Sequence, residues 1–235
     1  MNKYKYSNAI QDNLWEELTK QAHKDKTLDE ELNIKNIMDT WTLQKGYPVV
    51  HLNIDYDNND TILLNIKQNW FLLNPLSKKN NDYKWYIPFT YTTSKELNFN
   101  FETKPIWLKP NDTSVQLVLN DDSLDNQTWF IGNIKHSGFY RVNYDENNWN
   151  LLIHQLLFDH TQIDAINRAQ LIDDSFNLGR AGLIDQTFFL RICSYLVDES
   201  DPLAFQTAFI GLNYIADMLS FDNETYQMFQ VKGLI

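Results

Sequence analysis

The apolar positions of this chain change their spacing twice. In the first stretch, up to Gly46, they recur every three or four residues, which is the period of an amphipathic helix. Gly46 followed by Pro48 is typical of a helix stop, so the pattern predicts two helices and then a break. The two apolar sets are Ile10, Leu14, Leu18 and Ala22, then Ile34, Ile37, Met38 and Trp41.

From Pro48 to about Tyr144 the period falls to two, as in a strand with one buried face. Polar turns at 57–60 and 78–82 separate the alternating runs. About seven short strands with no helical signal between them predict an antiparallel two-sheet β-sandwich. The predicted strands lie at 50–54, 62–66, 85–91, 97–101, 115–119, 128–131 and 140–144.

After Asp145 the helical period returns and continues to the end of the sequence. Four helices are predicted, and the short turns between them indicate an antiparallel helical array. Their starting points are an apolar run from 149, a capping box of Thr161 with Asp164, an apolar run from 188, and Asp201 followed by Pro202. Gly179 and Gly182 are expected to end the second of them. Because an array needs a polar outer cap, we expect this one to continue in a longer protein.

Composition and charge exclude several classes of function. The 235 residues carry a net charge of −11, which disfavours binding to nucleic acid or to an anionic lipid surface. A hydrophobic fraction of 43% is enough for real cores. Cys193 is the only cysteine, so an internal disulfide is excluded. No secretory leader and no transmembrane run of about 20 apolar residues is expected from the sequence.

Candidate catalytic groups are few. The five histidines, His23, His51, His136, His154 and His160, show no metal-ligand spacing, and we interpret them as surface or satisfied core residues. The acidic pair Asp173-Asp174 is the most notable, and we expect it to form a structural ion pair with Arg168 or a bond with Asn167. Strand aromatics are typical of a core, with sugar stacking as the alternative. No glycine-rich phosphate loop is present.

Six segments, in order along the chain, together resemble the aminopeptidase N family of zinc metallopeptidases. They are 4–15, 37–50, 68–73, 85–88, GFYRVNYD at 138–145 and NRAQLIDD at 167–174. The resemblance implies a multidomain α+β chain. Residues 1–47 would be the last helices of a thermolysin-like catalytic domain, 48–144 a β-sandwich domain, and 145–235 the first part of a helical superhelix domain.

The family's zinc-binding motif, His-Glu-x-x-His with a second glutamate, is absent from this sequence, as are its Gly-x-Met-Glu-Asn motif and its transition-state tyrosine. The resemblance therefore implies no catalytic, substrate-binding or metal-binding residue here, and zinc as a cofactor only of the parent enzyme. At 199–205, where the family tends to have Glu-x-Asp-Tyr-x-Pro-Trp, this chain has Glu-Ser-Asp-Pro-Leu-Ala-Phe, a departure that bears on local packing.

Two functional hypotheses remain open from the sequence. The first is a fragment of an enzyme that removes N-terminal residues from peptides, inactive alone, with the missing catalytic domain as its partner and no direct contact with nucleic acid or membrane. The second is a non-catalytic binding or scaffold protein derived from the same family. For the parent, a membrane-anchored extracellular enzyme is favoured over a cytoplasmic one. Four glycosylation sequons do not decide this, because about three are expected by chance.

Overall fold

A computed structural model describes residues 4–56, 62–74, 82–100 and 103–231. The predicted turn at 57–60, most of the turn at 78–82, the last residue of the strand at 97–101 and the final residues 232–235 lie outside the described ranges. Within them the chain is a mixture of helices and sheets, so the prediction of an α+β chain is confirmed at that level. No helix in those ranges is long and apolar enough to cross a bilayer.

The two predicted amino-terminal helices are present as α1 (Gln11–Lys24) and α2 (Ile34–Thr42). The Asn33 side chain begins α2 by accepting a hydrogen bond from Lys35 N at 2.8 Å. Trp41 fixes the far end of α2 to the sheet, because its Nε1 donates to Tyr86 O at 3.0 Å. The carboxyl-terminal end of α2 is therefore held against the strand-forming part of the chain.

The principal sheet has four strands in the order β6-β2-β1-β8. They are β1 (Pro48–Tyr56), β2 (Ile62–Trp70), β6 (Val115–Leu119) and β8 (Arg141–Tyr144). The expectation of a wholly antiparallel arrangement is wrong at one ladder, since β8 runs parallel to β1. Alternation of apolar residues fixes which face of a strand is buried and carries no information on direction. Asp145 prolongs this ladder by accepting from Ile54 N at 2.9 Å.

Four shorter strands form two separate pairs, β3 (Ile87–Phe89) with β5 (Ile106–Leu108) and β4 (Tyr91–Thr93) with β7 (Phe130–Gly132). The single strand predicted at 85–91 is divided at Thr90, whose carbonyl and hydroxyl oxygens accept from Asn133 N and Ile134 N. Residues 97–100 form no strand, because Leu97 follows a turn and has a positive φ of 50°. Strand β5 was not predicted.

The carboxyl-terminal part contains α3 (Glu146–Asp159), α4 (Ala165–Arg180), α5 (Thr187–Cys193), α6 (Pro202–Leu219) and α7 (Asn223–Val231). The capping box of Thr161 with Asp164 is wrong: Asp164 itself caps α4, accepting from Ile166 N at 3.1 Å, and Thr161 lies in a 3₁₀ turn. Asp201 caps α6 as predicted. One hydrophobic core runs from the sheet into these helices, and α4 lies where the two parts meet.

Candidate functional site at the sheet–helix junction

Helix α4 carries an unusual number of polar side chains into the interior. Ten of its sixteen residues are buried, because the helix is covered by the sheet on one side and by α5 and α6 on the other. Five of the ten, Asn167, Arg168, Gln170, Asp174 and Ser175, are polar or charged. Buried polar groups are tolerated only when they are hydrogen-bonded, so their partners define the chemistry of this junction.

The first cluster joins Arg141 of β8 to the acidic pair of α4. Arg141 Nη1 lies 2.6 Å from Asp173 Oδ2 and 2.9 Å from Asp174 Oδ1. The other carboxylate oxygen of Asp174 accepts from Val142 N at 3.0 Å and from Gln170 Nε2 at 3.3 Å. The guanidinium group also lies over the ring of Phe71, 5.2 Å from its centroid. This cluster thereby fixes α4 to β8.

The electrostatics of this cluster follow from its burial. Asp174 is 1% exposed, and burial raises its pKa above the ordinary value while the charge of Arg141 opposes the rise. For Arg141, burial disfavours the charged form, yet Asp174 and Asp173 raise its pKa. Burial also raises the pKa of Tyr140 and of Tyr144, and the hydroxyl oxygen of Tyr144 accepts a hydrogen bond from Gly132 N at 3.1 Å.

The second cluster is centred on Arg168 and Glu199. Their two hydrogen bonds are parallel, with Nε 2.6 Å from Oε2 and Nη2 2.8 Å from Oε1, the bidentate geometry that Arg and carboxylate groups favour. Tyr195 donates to Oε2 at 3.0 Å, and the backbone N–H groups of Ser200 and Asp201 donate to Oε1. Burial opposes ionisation of Glu199, but these donors outweigh it and lower its pKa to about 2.

Asparagine side chains complete the junction. Asn133 has a left-handed backbone (φ 60°) and donates through Nδ2 to Gly138 O and Tyr140 O. Asn167 of α4 donates to Asn133 O at 3.1 Å, which ties the helix to this turn. Each amide makes specific bonds to backbone atoms, so the cluster fixes the relative position of strand and helix.

The structure places the sequence-predicted residues only partly as expected. Asp173 and Asp174 do form a structural ion pair, but their partner is Arg141, and the expectation that Arg168 or Asn167 would pair with them is wrong. Arg168 lies on a different face of α4 and binds Glu199. Arg141 and Glu199 were missed as partners. The sequence signal for Arg141 is a lone charged residue within the alternating run at 140–144, which indicates that a buried acidic partner is needed.

The five histidines occupy separate places. Two contact backbone or side-chain oxygens: His23 Nε2 lies 2.8 Å from Leu32 O, and His160 Nε2 lies 4.0 Å from Glu199 Oε1. His154 stacks on Phe158, with ring centroids 6.2 Å apart. His51 Nδ1 lies 3.4 Å from Asn143 Nδ2. None of these four histidines lies in a group that could hold a metal ion among the described residues, and the interpretation of all five as surface or satisfied core residues stays a prediction.

The donor set does not fit the zinc ion that the resemblance implies for the parent enzyme. Within 4–56, 62–74, 82–100 and 103–231, no three His, Cys, Asp or Glu side chains lie close enough together to hold a metal ion. Cys193 is buried, and burial raises the pKa of its thiol to about 12.

Comparisons with known proteins agree with the resemblance. The family model described as "ERAP1-like C-terminal domain" matches residues 129–234. The thyrotropin-releasing hormone-degrading ectoenzyme of Homo sapiens is 35% identical over 232 residues, which cover 96% of this chain and 21% of that protein. Aminopeptidase N of Rattus norvegicus is 35% identical over 96% of this chain and 22% of its own length. The chain thus spans about a fifth of the length of these relatives.

Proposed function

Because this chain belongs to the aminopeptidase N family, we propose that it supplies the supporting framework of a zinc aminopeptidase that removes N-terminal residues from peptides. The observation that carries the proposal is the identity of 35% to two such relatives over 96% of the chain. In this role the chain positions a catalytic domain and does not itself hydrolyse peptides. The zinc ion, when bound elsewhere in the parent, would activate the attacking water.

The proposed arrangement has three parts. Residues 1–47 are the last helices of the catalytic domain, 48–144 are a β-sandwich, and 145–235 begin a helical array. The four-stranded sheet and the two shorter strand pairs support the middle assignment, and five successive helices after Tyr144 support the last. The Arg141 cluster serves this function by holding the sheet against α4, and the Arg168 cluster by holding α4 against the segment that precedes α6.

The surface of α1 supports a missing domain as the partner. Ile10, Leu14 and Leu18 lie along one side of this helix and are 66%, 54% and 42% exposed. The alternative, a self-standing scaffold protein, requires the two amino-terminal helices to bury their apolar side chains against the sheet. Trp41 does pack there, with its ring 6.1 Å from that of Trp85, but α1 leaves its apolar side uncovered. This observation favours the framework over the scaffold.

A direct test measures zinc content and hydrolysis of a leucyl anilide by the purified chain. We expect substoichiometric zinc and no turnover above a buffer control. The matched positive control is a full-length relative, rat aminopeptidase N, assayed at the same concentration. Stoichiometric zinc together with turnover that a chelator abolishes would overturn the proposal.

A chimera tests the positive half of the proposal. Residues 1–235 of this chain replace the aligned segment of rat aminopeptidase N, and the secreted product is assayed on the same anilide. We expect measurable activity, because the framework should orient the rat catalytic domain correctly. The control chimera carries Arg141→Met and should be less stable to heat. A folded first chimera without activity would contradict the framework role.

A further inference from the structure

A cleft of about 350 Å³ opens where the principal sheet meets the turn that follows α4. Its walls include Val49 and His51 of β1, Trp70 of β2, and Leu183 of the turn; we name it the β1–β2 cleft. Small-molecule sites generally begin at about 300 Å³ and combine apolar walls with a few fixed polar groups. The β1–β2 cleft has the volume and the apolar walls, and its polar side chains are those of His51 and Asn69. The ring of His51 is the one whose hydrogen bonds can be assigned.

The hydrogen bonds behind His51 determine which of its ring nitrogens is the donor. Trp149 Nε1 can only donate, and it lies 3.0 Å from Asn143 Oδ1, which fixes that atom as the amide oxygen. The Asn143 atom 3.4 Å from His51 Nδ1 is then the amide nitrogen, a donor. Nδ1 therefore accepts, and the proton of the neutral ring is on Nε2. Among the described residues, His51 Nε2 has no hydrogen-bond partner.

Two lysines place positive charge near the His51 ring. Lys67 lies opposite His51 in the β1–β2 ladder, so the two side chains share one face of the sheet. Lys84 donates from Nζ to Gln68 O at 2.7 Å, on the residue after Lys67. Burial lowers the pKa of His51, and Lys67 and Lys84 lower it further, which keeps the ring neutral and Nδ1 an acceptor at neutral pH.

We propose that the β1–β2 cleft binds a small apolar monocarboxylate, with the carboxylate accepting from His51 Nε2 and the apolar part against Val49, Trp70 and Leu183. The positive field of the two lysines favours an anion over a neutral acceptor or an ammonium group. Because Val49 belongs to the sheet and Leu183 to the helical part, a bound molecule bridges the two and stabilises the folded chain by mass action. This site is separate from the proposed aminopeptidase framework and can fail without affecting it.

Calorimetric titration of the chain at pH 7.5 tests the proposal, with 3-phenylpropionate as the probe and 3-phenylpropanamide as its uncharged counterpart. We expect the acid to bind about tenfold more tightly than the amide, because a charge-assisted hydrogen bond is roughly twice as strong as a neutral one. The melting temperature should rise with the acid and not with the amide. Equal affinities, or no binding of the acid at millimolar concentration, would overturn the proposal.

Three variants locate the site. His51→Phe keeps a planar ring and removes the donor, and should weaken acid binding about tenfold. Lys67→Gln, at an exposed position, should weaken the acid about threefold and leave the amide unchanged. Leu183→Trp should fill the cleft and abolish binding of both. If His51→Phe folds and binds the acid with unchanged affinity, the assignment is refuted. If His51→Phe does not fold, unchanged affinity in both Lys67→Gln and Leu183→Trp refutes it.

A peptide that ends in phenylalanine carries the same chemistry as the free acid. N-acetyl-glycyl-phenylalanine is therefore titrated beside 3-phenylpropionate. A cleft of about 350 Å³ accommodates the free acid more completely than the longer peptide, so we expect the free acid to bind at least as tightly. Tighter binding of the peptide would identify a chain terminus as the ligand and overturn the assignment to a small free acid.

Discussion

Helices α1 and α4 have similar lengths and opposite relations to the rest of the molecule. Ten of the sixteen residues of α4 are buried, whereas Thr19 is the only buried residue among the fourteen of α1. Thr19 itself is used for a polar contact, since its hydroxyl accepts from Ile34 N at 3.0 Å. The sheet and the other helices enclose α4, while α1 contacts mainly α2.

The ion pairs of the amino-terminal helices are exposed, whereas those around α4 are largely buried. On the amino-terminal helices, Lys35 pairs with Asp12 at 3.0 Å and with Asp39 at 2.8 Å, and its side chain is 40% exposed. At the junction, the Glu199 side chain is fully buried against Arg168. Exposed pairs contribute about 0–1 kcal/mol, whereas breaking a buried pair costs far more. The number of ion pairs in a region therefore says little about how strongly it is held.

Loss of a buried charge should produce the largest effect. Arg141→Met removes the partner of Asp174, a carboxylate that is 1% exposed, and leaves its charge buried and unpaired. We expect a loss of about 3–5 kcal/mol in the free energy of unfolding. Urea unfolding followed by tryptophan fluorescence measures it.

Two further variants control this prediction. Lys35→Met breaks the exposed pairs of α2 with Asp12 and Asp39 and should cost far less than Arg141→Met. The double variant Arg141→Met with Asp174→Asn should recover part of the loss, because Asn retains an oxygen that accepts from Val142 N and carries no charge. Equal losses in Arg141→Met and Lys35→Met would remove the proposed difference between the two regions.

Acid should weaken the junction through Glu199. Its pKa is lowered to about 2 in the folded chain from an ordinary value of 4.5, so its contribution to stability is present above about pH 4.5 and is lost as the pH falls towards 2. The size of that contribution is on the order of 2 kcal/mol. Unfolding curves between pH 6 and 2 measure it, with Glu199→Gln as the comparison.

In Glu199→Gln this part of the pH dependence should be absent, so the difference in stability between the two chains should shrink as the pH is lowered. Glu16→Gln is the matched surface control, since Glu16 pairs with Lys20 on the exposed side of α1. Its curve should follow that of the unchanged chain. A constant difference between Glu199→Gln and the unchanged chain across this range would contradict the assignment.

Residue spacing and capping predicted the helices and strands that depend on residues close together in the sequence. Period and capping located α1, α2 and α6, the last with its Asp201 cap and Pro202 start. Strand β1 followed from alternation alone. The family resemblance rests on segments distributed along the chain, and the relatives agree with it.

Long-range pairing could not be predicted in the same way. Nothing in the neighbourhood of Thr90 indicates that one alternating run divides between two partner strands. The parallel direction of β8 and the pairing of Arg141 with Asp174, 33 residues apart, likewise depend on tertiary contacts. In the sequence, Glu199 belongs only to a segment compared with the family, and its pairing with Arg168 depends on the packing of the segment after α5 against α4.

Packing around α6 offers a smaller test of the enclosed region. A Cβ atom at Gly211 would lie 2.5 Å from Phe189 Cζ and 3.0 Å from Phe176 Cδ2, and Phe189 is fully buried. Overpacking costs about 1–3 kcal/mol, and the better helix propensity of alanine returns about 1. We expect Gly211→Ala to lose about 1 kcal/mol by urea unfolding, while the exposed Gln206→Ala on the same helix should be neutral or stabilising.

The smallest effect on stability is expected at the apolar side of α1. Leu14 and Leu18 are 54% and 42% exposed, so replacing both with glutamine removes little buried surface and should change the free energy of unfolding by less than about 0.5 kcal/mol each. Exposed apolar patches promote association, and sedimentation velocity should therefore show less self-association in the double variant. A loss of several kcal/mol would mean that α1 is enclosed as fully as α4 in solution, which would also remove the support for the proposed contact of this face with a catalytic domain.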